Sequence, residues 1–268
     1  MPFSFFARDN GRAHVCGHRG FSQRYPENTI AAFDATKAHG GTTVEIDVVL
    51  SSDGIPFVLH DLTLDRTTNG HGFAADHSGR AIAMLDAGGW FDARFEGEPV
   101  PGLSDVLKWA VRENMGLVVE IKERERTKLA LERCAELIRE AGAIHHVQVL
   151  SFNHVDMKRL KAIDPEIRTE LITHARHADL VSVLRAADAD SVSIELGMFD
   201  PEDGKALHDA GLCNRVHMPR PEILSVFWRH GRDPLPRIRD WLAAGVIDTL
   251  SGDDVPFIRR LIDASASS

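Results

Sequence analysis

The sequence predicts an α/β protein built as a TIM-type (β/α)8 barrel, with a small inserted subdomain after the third strand. Short β-branched apolar runs alternate with helical stretches along the chain, the pattern of parallel strands joined by crossover helices. The length of 268 residues and 43% hydrophobic composition suit one barrel domain over residues 1–268, because barrels of about 250 residues form single domains. One long irregular connection breaks the alternation and marks the insertion.

Strands are expected at residues 13–17, 43–50, 56–60, 116–121, 146–152, 168–173 and 191–195, with weaker ones at 214–218 and 246–250. Helical patterns fall between them at 29–38, 104–114, 127–141, 155–162, 202–210 and 236–244. Pro26 and the Asn28-Thr29 step supply start signals for the first of these helices. Nine strand candidates exceed the eight that a barrel needs, so one lies outside it or is not a strand. Residues 61–101 are rich in Gly, Asp, Thr and aromatics without a clear period. Connections of that length inside a compact domain are usually functional or small subdomains. Following His60, this one is expected over the strand C-termini, where barrel active sites lie.

Composition excludes several classes. The net charge is −9 and no long basic run occurs, which argues against nucleic acid as a partner. A local cluster of Arg and Lys still permits a phosphorylated small molecule. Cys16, Cys134 and Cys213 are odd in number and far apart, which disfavours a disulfide framework or a structural zinc site and fits a reducing compartment. The apolar patch Phe3, Phe5, Phe6 lacks a preceding basic region and meets Arg8 and Asp9 at once, unlike a signal core. No stretch approaches the ~20 apolar residues of a membrane span. A soluble, cytoplasmic protein without stable membrane insertion is expected, with a frayed Ala/Ser tail after Asp263.

Chemistry is concentrated where polar residues interrupt the apolar strands. Cys16-Gly17-His18-Arg19-Gly20 ends the first strand, and Glu45-Ile46-Asp47 sits inside the second. Leu59-His60-Asp61 ends the third, and Glu120-Ile121-Lys122 the fourth. Residues i and i+2 of a strand share a face, so Glu45 projects with Asp47 and Glu120 with Lys122. Unpaired acids packed against helices would be costly to bury, which places them at the barrel mouth. Three converging carboxylates call for a cation, and an oxygen-only set suits one hard divalent ion, Mg²⁺ or Ca²⁺, rather than zinc. Arg19 and Lys122 are fixed cations of the kind that bind phosphate oxygens. His18 and His60 are positioned as a general base and a general acid. Each cluster alone has an ordinary structural explanation; together, at successive strand ends, they describe phosphoryl-ester cleavage. Later strands offer only Glu195, His154 and His174 as supporting candidates.

The ordered set Gly17-His18-Arg19-Gly20, Pro26-Glu27-Asn28-Thr29, Glu45-x-Asp47, His60-Asp61 and Glu120-x-Lys122 resembles the glycerophosphodiester phosphodiesterase family. The insertion matches it too, through Leu64-Asp65-Arg66-Thr67-Thr68-Asn69-Gly70, Leu85-Asp86-Ala87-Gly88-Gly89-Trp90-Phe91 and Val100-Pro101-Gly102-Leu103. The likeness is close over residues 13–123, then thins to Leu150-Ser151-Phe152 and Gly245-Val246-Ile247-Asp248-Thr249. It implies that His18 and His60 are the acid/base pair, that Glu45, Asp47 and Glu120 bind the metal, and that Arg19 and Lys122 hold the phosphate. Glu27 and Asn28 are implied to brace Arg19 and the first loop, with Asn28 within possible reach of the metal. The implied reaction converts a glycerophosphodiester to glycerol 3-phosphate and an alcohol. In it the glycerol 2-hydroxyl attacks phosphorus, and water then opens the cyclic phosphate.

One departure concerns the substrate. The family usually has an aromatic-Thr-Val-Asn strand late in the chain, where this sequence has Cys213-Asn214-Arg215-Val216-His217-Met218. The ring facing the substrate is therefore His217 or, in a longer register, Trp228. A lysophospholipase D or sphingomyelinase-D-like enzyme on the same fold is the alternative, using Phe73, Trp90, Phe91 and Phe95 at a lipid interface. A non-catalytic phosphate-binding barrel is a further alternative, disfavoured because no proton shuttle or metal ligand is missing.

Overall fold

The computed structural model describes residues 3–265. The chain runs α1 (Ala7–Asn10), β1 (His14–His18), α2 (Ile30–Ala38), β2 (Thr43–Leu50), β3 (Pro56–Val58), α3 (Gly79–Ile82) and α4 (Leu103–Glu113). It continues through β4 (Gly116–Ile121), α5 (Thr127–Glu140), β5 (Val147–Ser151), α6 (His154–Ile163), β6 (Arg168–Thr173), α7 (Leu180–Ala186) and β7 (Ser191–Glu195). The last part is α8 (Pro201–Asp209), β8 (Cys213–His217), α9 (Pro221–Arg229), α10 (Leu235–Ala243), β9 (Thr249–Gly252) and α11 (Val255–Ser265).

The strands form a closed parallel barrel in the order β1-β2-β4-β5-β6-β7-β8-β9, with β9 pairing back onto β1. The surplus ninth candidate is β3. It pairs antiparallel with β2, Val48 opposite Val58, and stands outside the barrel. Its link to β2 turns at Gly54, φ 77°, and is far too short for the crossover that parallel neighbours require. Between β3 and α4, Phe57, Leu59, Leu64, Ile82, Ala87 and Val100 form an apolar cluster apart from the main core.

Alternation along each strand sorts the side chains. Val44, Ile46 and Val48 of β2, Leu117, Val119 and Ile121 of β4 and Val192 and Ile194 of β7 belong to the main core. Glu45, Asp47 and Glu120, at the alternate positions, are also buried. The helices are capped locally: Thr29 Oγ1 accepts from Ala32 N at 3.3 Å at the start of α2, as expected of a threonine N-cap. At the barrel floor, Phe5 packs with Val118, Leu150 and Cys213, with Phe3 and Phe6 against them. The N-terminal phenylalanines thus plug the end opposite the predicted site.

Five helices have no counterpart in the sequence pattern: the single turns α1 and α3, and α7, α9 and α11. α7 is short but is capped by Asp179, whose Oδ1 accepts from Ser182 N at 2.9 Å. The last strand lies at Thr249–Gly252 rather than 246–250, because Val246 and Ile247 serve the core from the preceding loop. α11 runs to Ser265, so the chain stays helical beyond Asp263; residues 266–268 of the tail expected to fray lie outside the described residues. Among the described residues no helix is long and apolar enough to cross a membrane.

Candidate active site

Strand register assembles the site. His18 lies level with Glu45 on neighbouring strands, and Asp47 level with Glu120. The loop after β1 then folds back over them. Arg19 and Asn28 both take left-handed backbone, φ 58° and 60°, at a cost of about 1–2 kcal/mol for a non-glycine residue. Asn28 N donates to Arg19 O at 3.0 Å, and Arg19 N donates to Glu45 Oε2 at 3.1 Å. Asn28 Nδ2 donates to Asp47 Oδ2 at 2.9 Å. A Cβ at Gly17 would stand 2.8 Å from the Gly20 carbonyl, which explains glycine at the strand's end. Strain of this kind persists where surrounding contacts over-determine the backbone.

Glu45, Asp47 and Glu120 are buried and each offers a carboxylate oxygen within 4.8 Å of the others. Lys122 Nζ donates to Glu120 Oε1 at 2.6 Å and lies 3.2 Å from Asp47 Oδ1. Arg19 Nε is 3.2 Å from Asp47 Oδ2, and its Nη1 donates to Glu27 Oε1 at 2.9 Å. Asp47 Oδ1 is buried yet accepts no hydrogen bond of good geometry. Burial opposes ionisation of all three acids, but Arg19 and Lys122 outweigh it at Asp47 and lower its pKa. At Glu45, burial and then the charge of Asp47 raise the pKa. Burial raises Glu120 as well, against the pull of Lys122. An orphaned oxygen in an oxygen-only set, with two acids reluctant to charge, fits a hard divalent cation.

Each histidine has a carboxylate on Nδ1. His18 Nδ1 donates to Asp253 Oδ1 at 2.7 Å, and His60 Nδ1 donates to Asp61 Oδ1 at 2.6 Å. These bonds hold both rings in the tautomer whose Nε2 is available for proton transfer. His18 Nε2 sits 3.9 Å from Glu45 Oε2. Burial lowers the His18 pKa, but Glu45 and Asp253 outweigh that and raise it. Arg66 binds Asp61 through Nε at 2.7 Å and Glu27 through Nη1 at 2.8 Å, and it holds the Asp61 carboxyl well below the usual carboxylate range. The insertion is thereby tied to both the first loop and His60.

A cavity of about 250 Å³ joins these groups: His18, Arg19, Glu45, His60, Glu120 and Lys122 line part of it. Phe152, His174, Glu195, Arg215 and His217 continue the lining. A cleft of about 780 Å³ adjoins it on the His60–Lys122 side, and one of about 330 Å³ on the His18–Arg19 side. His217 ends β8 with its ring 4.8 Å from that of His18. Trp228 is not among the cavity's lining residues; it lies on α9, its Nε1 donating to Asp233 Oδ1 at 3.1 Å. Because β8 ends at His217, it is His217 and not Trp228 that lines the cavity. His154 is occupied structurally, its Nε2 2.9 Å from Ile172 O. His174 Nδ1 donates to Glu195 Oε1 at 2.7 Å within the lining.

Sequence reasoning missed Asp253, Arg66 and the buried Glu170–Arg215 pair. Arg215 donates to Glu170 Oε1 through Nε at 2.9 Å and Nη2 at 2.7 Å. Asp253 was detectable by the rule that found the others, since Ser251-Gly252-Asp253 is a polar step ending the last strand. Arg66 bridges nearby Asp61 to remote Glu27, and Arg215 pairs with remote Glu170, so neither carried such a signal.

Burial, then the nearby charges of His18 and Arg215, pushes the His217 pKa down to about 3. Below its ordinary value of about 6.5 the unfolded chain binds a proton here that the fold refuses. Stability from this residue is therefore full above pH 6.5 and falls with acidification, by up to about 1.4 kcal/mol per pH unit. Urea unfolding at pH 7 and pH 5 is expected to show His217→Phe losing about 1–2 kcal/mol less than the parent across that interval. Equal losses in the two proteins would mean that another group is responsible.

Comparison with known proteins identifies the family. A model of the glycerophosphoryl diester phosphodiesterase family matches residues 18–218. A glycerophosphodiester phosphodiesterase of Caldanaerobacter subterraneus is 37% identical over 159 residues, 59% of this chain and 65% of that protein, just under two thirds of its length. The solved structure of a glycerophosphodiester phosphodiesterase from Agrobacterium tumefaciens is 29% identical, with a TM-score of 0.76 over 92% of this chain and 99% of that one. A phosphodiesterase of Oleispira antarctica, solved with the product sn-glycerol-3-phosphate, is 26% identical with a TM-score of 0.78, covering 95% of this chain and 98% of its own. With the family model spanning three quarters of the sequence, from His18 past His217, this chain belongs to the glycerophosphoryl diester phosphodiesterase family.

Proposed function

We propose that this protein hydrolyses glycerophosphodiesters to glycerol 3-phosphate and an alcohol, with a divalent cation, Mg²⁺ or Ca²⁺, held by Glu45, Asp47 and Glu120. The observation that carries this reading is the meeting of Glu45 and Glu120 with His18, His60, Arg19 and Lys122 around one cavity, with the buried Asp47 carboxylate grouped with the other two behind its wall. When bound, the cation would neutralise charge on the phosphoryl oxygens. Arg19 and Lys122 bind those same oxygens and fix the phosphate between the two flanking clefts, one for each substituent of a diester.

His18 and His60 divide the proton transfers. One takes the proton of the glycerol 2-hydroxyl through Nε2 as that oxygen bonds to phosphorus; the other gives a proton to the departing alcohol oxygen as its P–O bond breaks. The roles then reverse as water opens the cyclic phosphate. An internal hydroxyl held near phosphorus carries the large proximity advantage of an intramolecular reaction. Asp253 and Asp61 keep each ring in the required tautomer, and Glu27 and Asn28 brace Arg19 and Asp47.

A panel of diesters with choline, ethanolamine and glycerol leaving groups, plus a glycerol analogue lacking the 2-hydroxyl, tests the reading. Hydrolysis of all three natural-type diesters within about 100-fold of each other (~2.7 kcal/mol) is expected. The deoxy analogue should be inert. Its rapid cleavage would rule out internal attack, and a larger preference would reveal a dedicated alcohol pocket.

A further inference from the structure

α9 presents an apolar face that the described residues leave about half exposed. Leu224 anchors it to the core, while Ile223, Val226, Phe227 and Trp228 are 50%, 44%, 42% and 42% exposed. Ile223, Val226 and Phe227 are spaced i, i+3, i+4 and so share one side of the helix. Four large exposed side chains within six residues form a contiguous patch rather than the scattered single residues normal on a surface. The indole of Trp228 is held at the helix end by its bond to Asp233.

The charge around this patch opposes that of the whole protein. Residues 220–240 carry five arginines, Arg220, Arg229, Arg232, Arg237 and Arg239, against Glu222, Asp233 and Asp240, on a chain of net charge −9. Arg220 is 3.7 Å from Asp253, which leaves Arg229 and Arg232, at the end of α9, as the cations beside the patch. The patch also has a definite place. α9 follows the C-terminal end of β8, and Arg220 and Glu222 line the cleft of about 330 Å³ together with His18 and Asp253. Phe152 after β5 and Met198 after β7, 49% and 39% exposed, belong to the same end of the barrel.

We propose that α9 is a peripheral docking element for an anionic lipid surface, laying its apolar face into the headgroup boundary with the arginines on the phosphates and setting the barrel mouth towards the bilayer. A short helix with large apolar residues, a tryptophan and flanking arginines is the composition of interfacial helices. A second copy of this chain fits less well, because a two-fold contact through this patch would bring the same arginines together. The inference does not depend on the proposed hydrolysis, since docking is read without turnover.

Co-sedimentation of the full chain with phosphatidylcholine vesicles, with and without phosphatidylglycerol, tests it. Binding to the anionic vesicles is expected, at least about tenfold stronger than to the neutral ones and weakened by salt. I223S/F227S and R229E/R232E should each lose it, with thermal unfolding near that of the parent because these side chains are exposed. The fluorescence of Trp228, isolated by comparison with W228F, should shift to shorter wavelength on binding. Absence of binding to anionic vesicles, or equal binding by the parent and both variants, would overturn the proposal. So would self-association that I223S/F227S abolishes in the absence of vesicle binding, which would assign the patch to a second copy.

Discussion

Replacing His18 or His60 with alanine is expected to lower kcat by about 10²–10⁴-fold while KM moves little. Both rings line the cavity with Nε2 uncommitted to a hydrogen bond, and both are fixed from behind through Nδ1, by Asp253 at 2.7 Å and Asp61 at 2.6 Å. In the proposed mechanism neither supplies ground-state binding, which falls to Arg19 and Lys122. The loss should therefore appear in the chemical step. Steady-state kinetics on a glycerophosphodiester at saturating cation make the measurement. Wild-type turnover in either variant would return that histidine to a structural role. A large rise in KM with kcat intact would mean that it binds substrate rather than moves a proton.

The second large effect is loss of activity on removing the cation. Exhaustive chelation is expected to abolish turnover, and Mg²⁺ or Ca²⁺ to restore it, because the donor set is oxygen alone and no cysteine joins it. Asp47→Ala should not be restored at ordinary cation concentrations. Asp47 is the acid whose pKa is lowered, by Arg19 and Lys122, and whose buried Oδ1 has no hydrogen bond. The pH dependence has a definite sign. Glu45 and Glu120, with raised pKa values, must lose protons to coordinate the ion, so the cation concentration needed for half-activity should rise as pH falls. Metal analysis of the purified protein and activity titrations at two pH values check this. Full turnover by metal-free protein would remove the cation from the mechanism.

The fold class, the insertion and the core of the site were legible in the sequence because each is written in local pattern. Parallel strands buried on both faces read as apolar runs whatever lies around them, and a carboxylate or histidine that breaks such a run is conspicuous. The i, i+2 spacing put Glu45 beside Asp47, and their convergence with Glu120 followed from one expected face of the barrel. The sequence even carried the signal that β3 is not a barrel strand: the Asp53-Gly54 step allows a hairpin and no crossover. Tertiary structure decided what depends on distance. Asp253 lies 235 residues from the His18 ring it orients, and Arg66 reaches Glu27 across 39 positions. Arg215 meets Glu170 across 45 positions inside the barrel. The choice of His217 over Trp228 at the mouth depended on where β8 ends, and the end of a strand is set by its ladder partners on both sides. The exposure of α9 was decided in the same way: the sequence pattern did not mark the helix, and only the packed barrel shows which of its apolar residues stay exposed. A local pattern records what a residue is, whereas closure of the barrel determines which residues meet, since the partners of an inward-facing side chain come from strands remote in sequence.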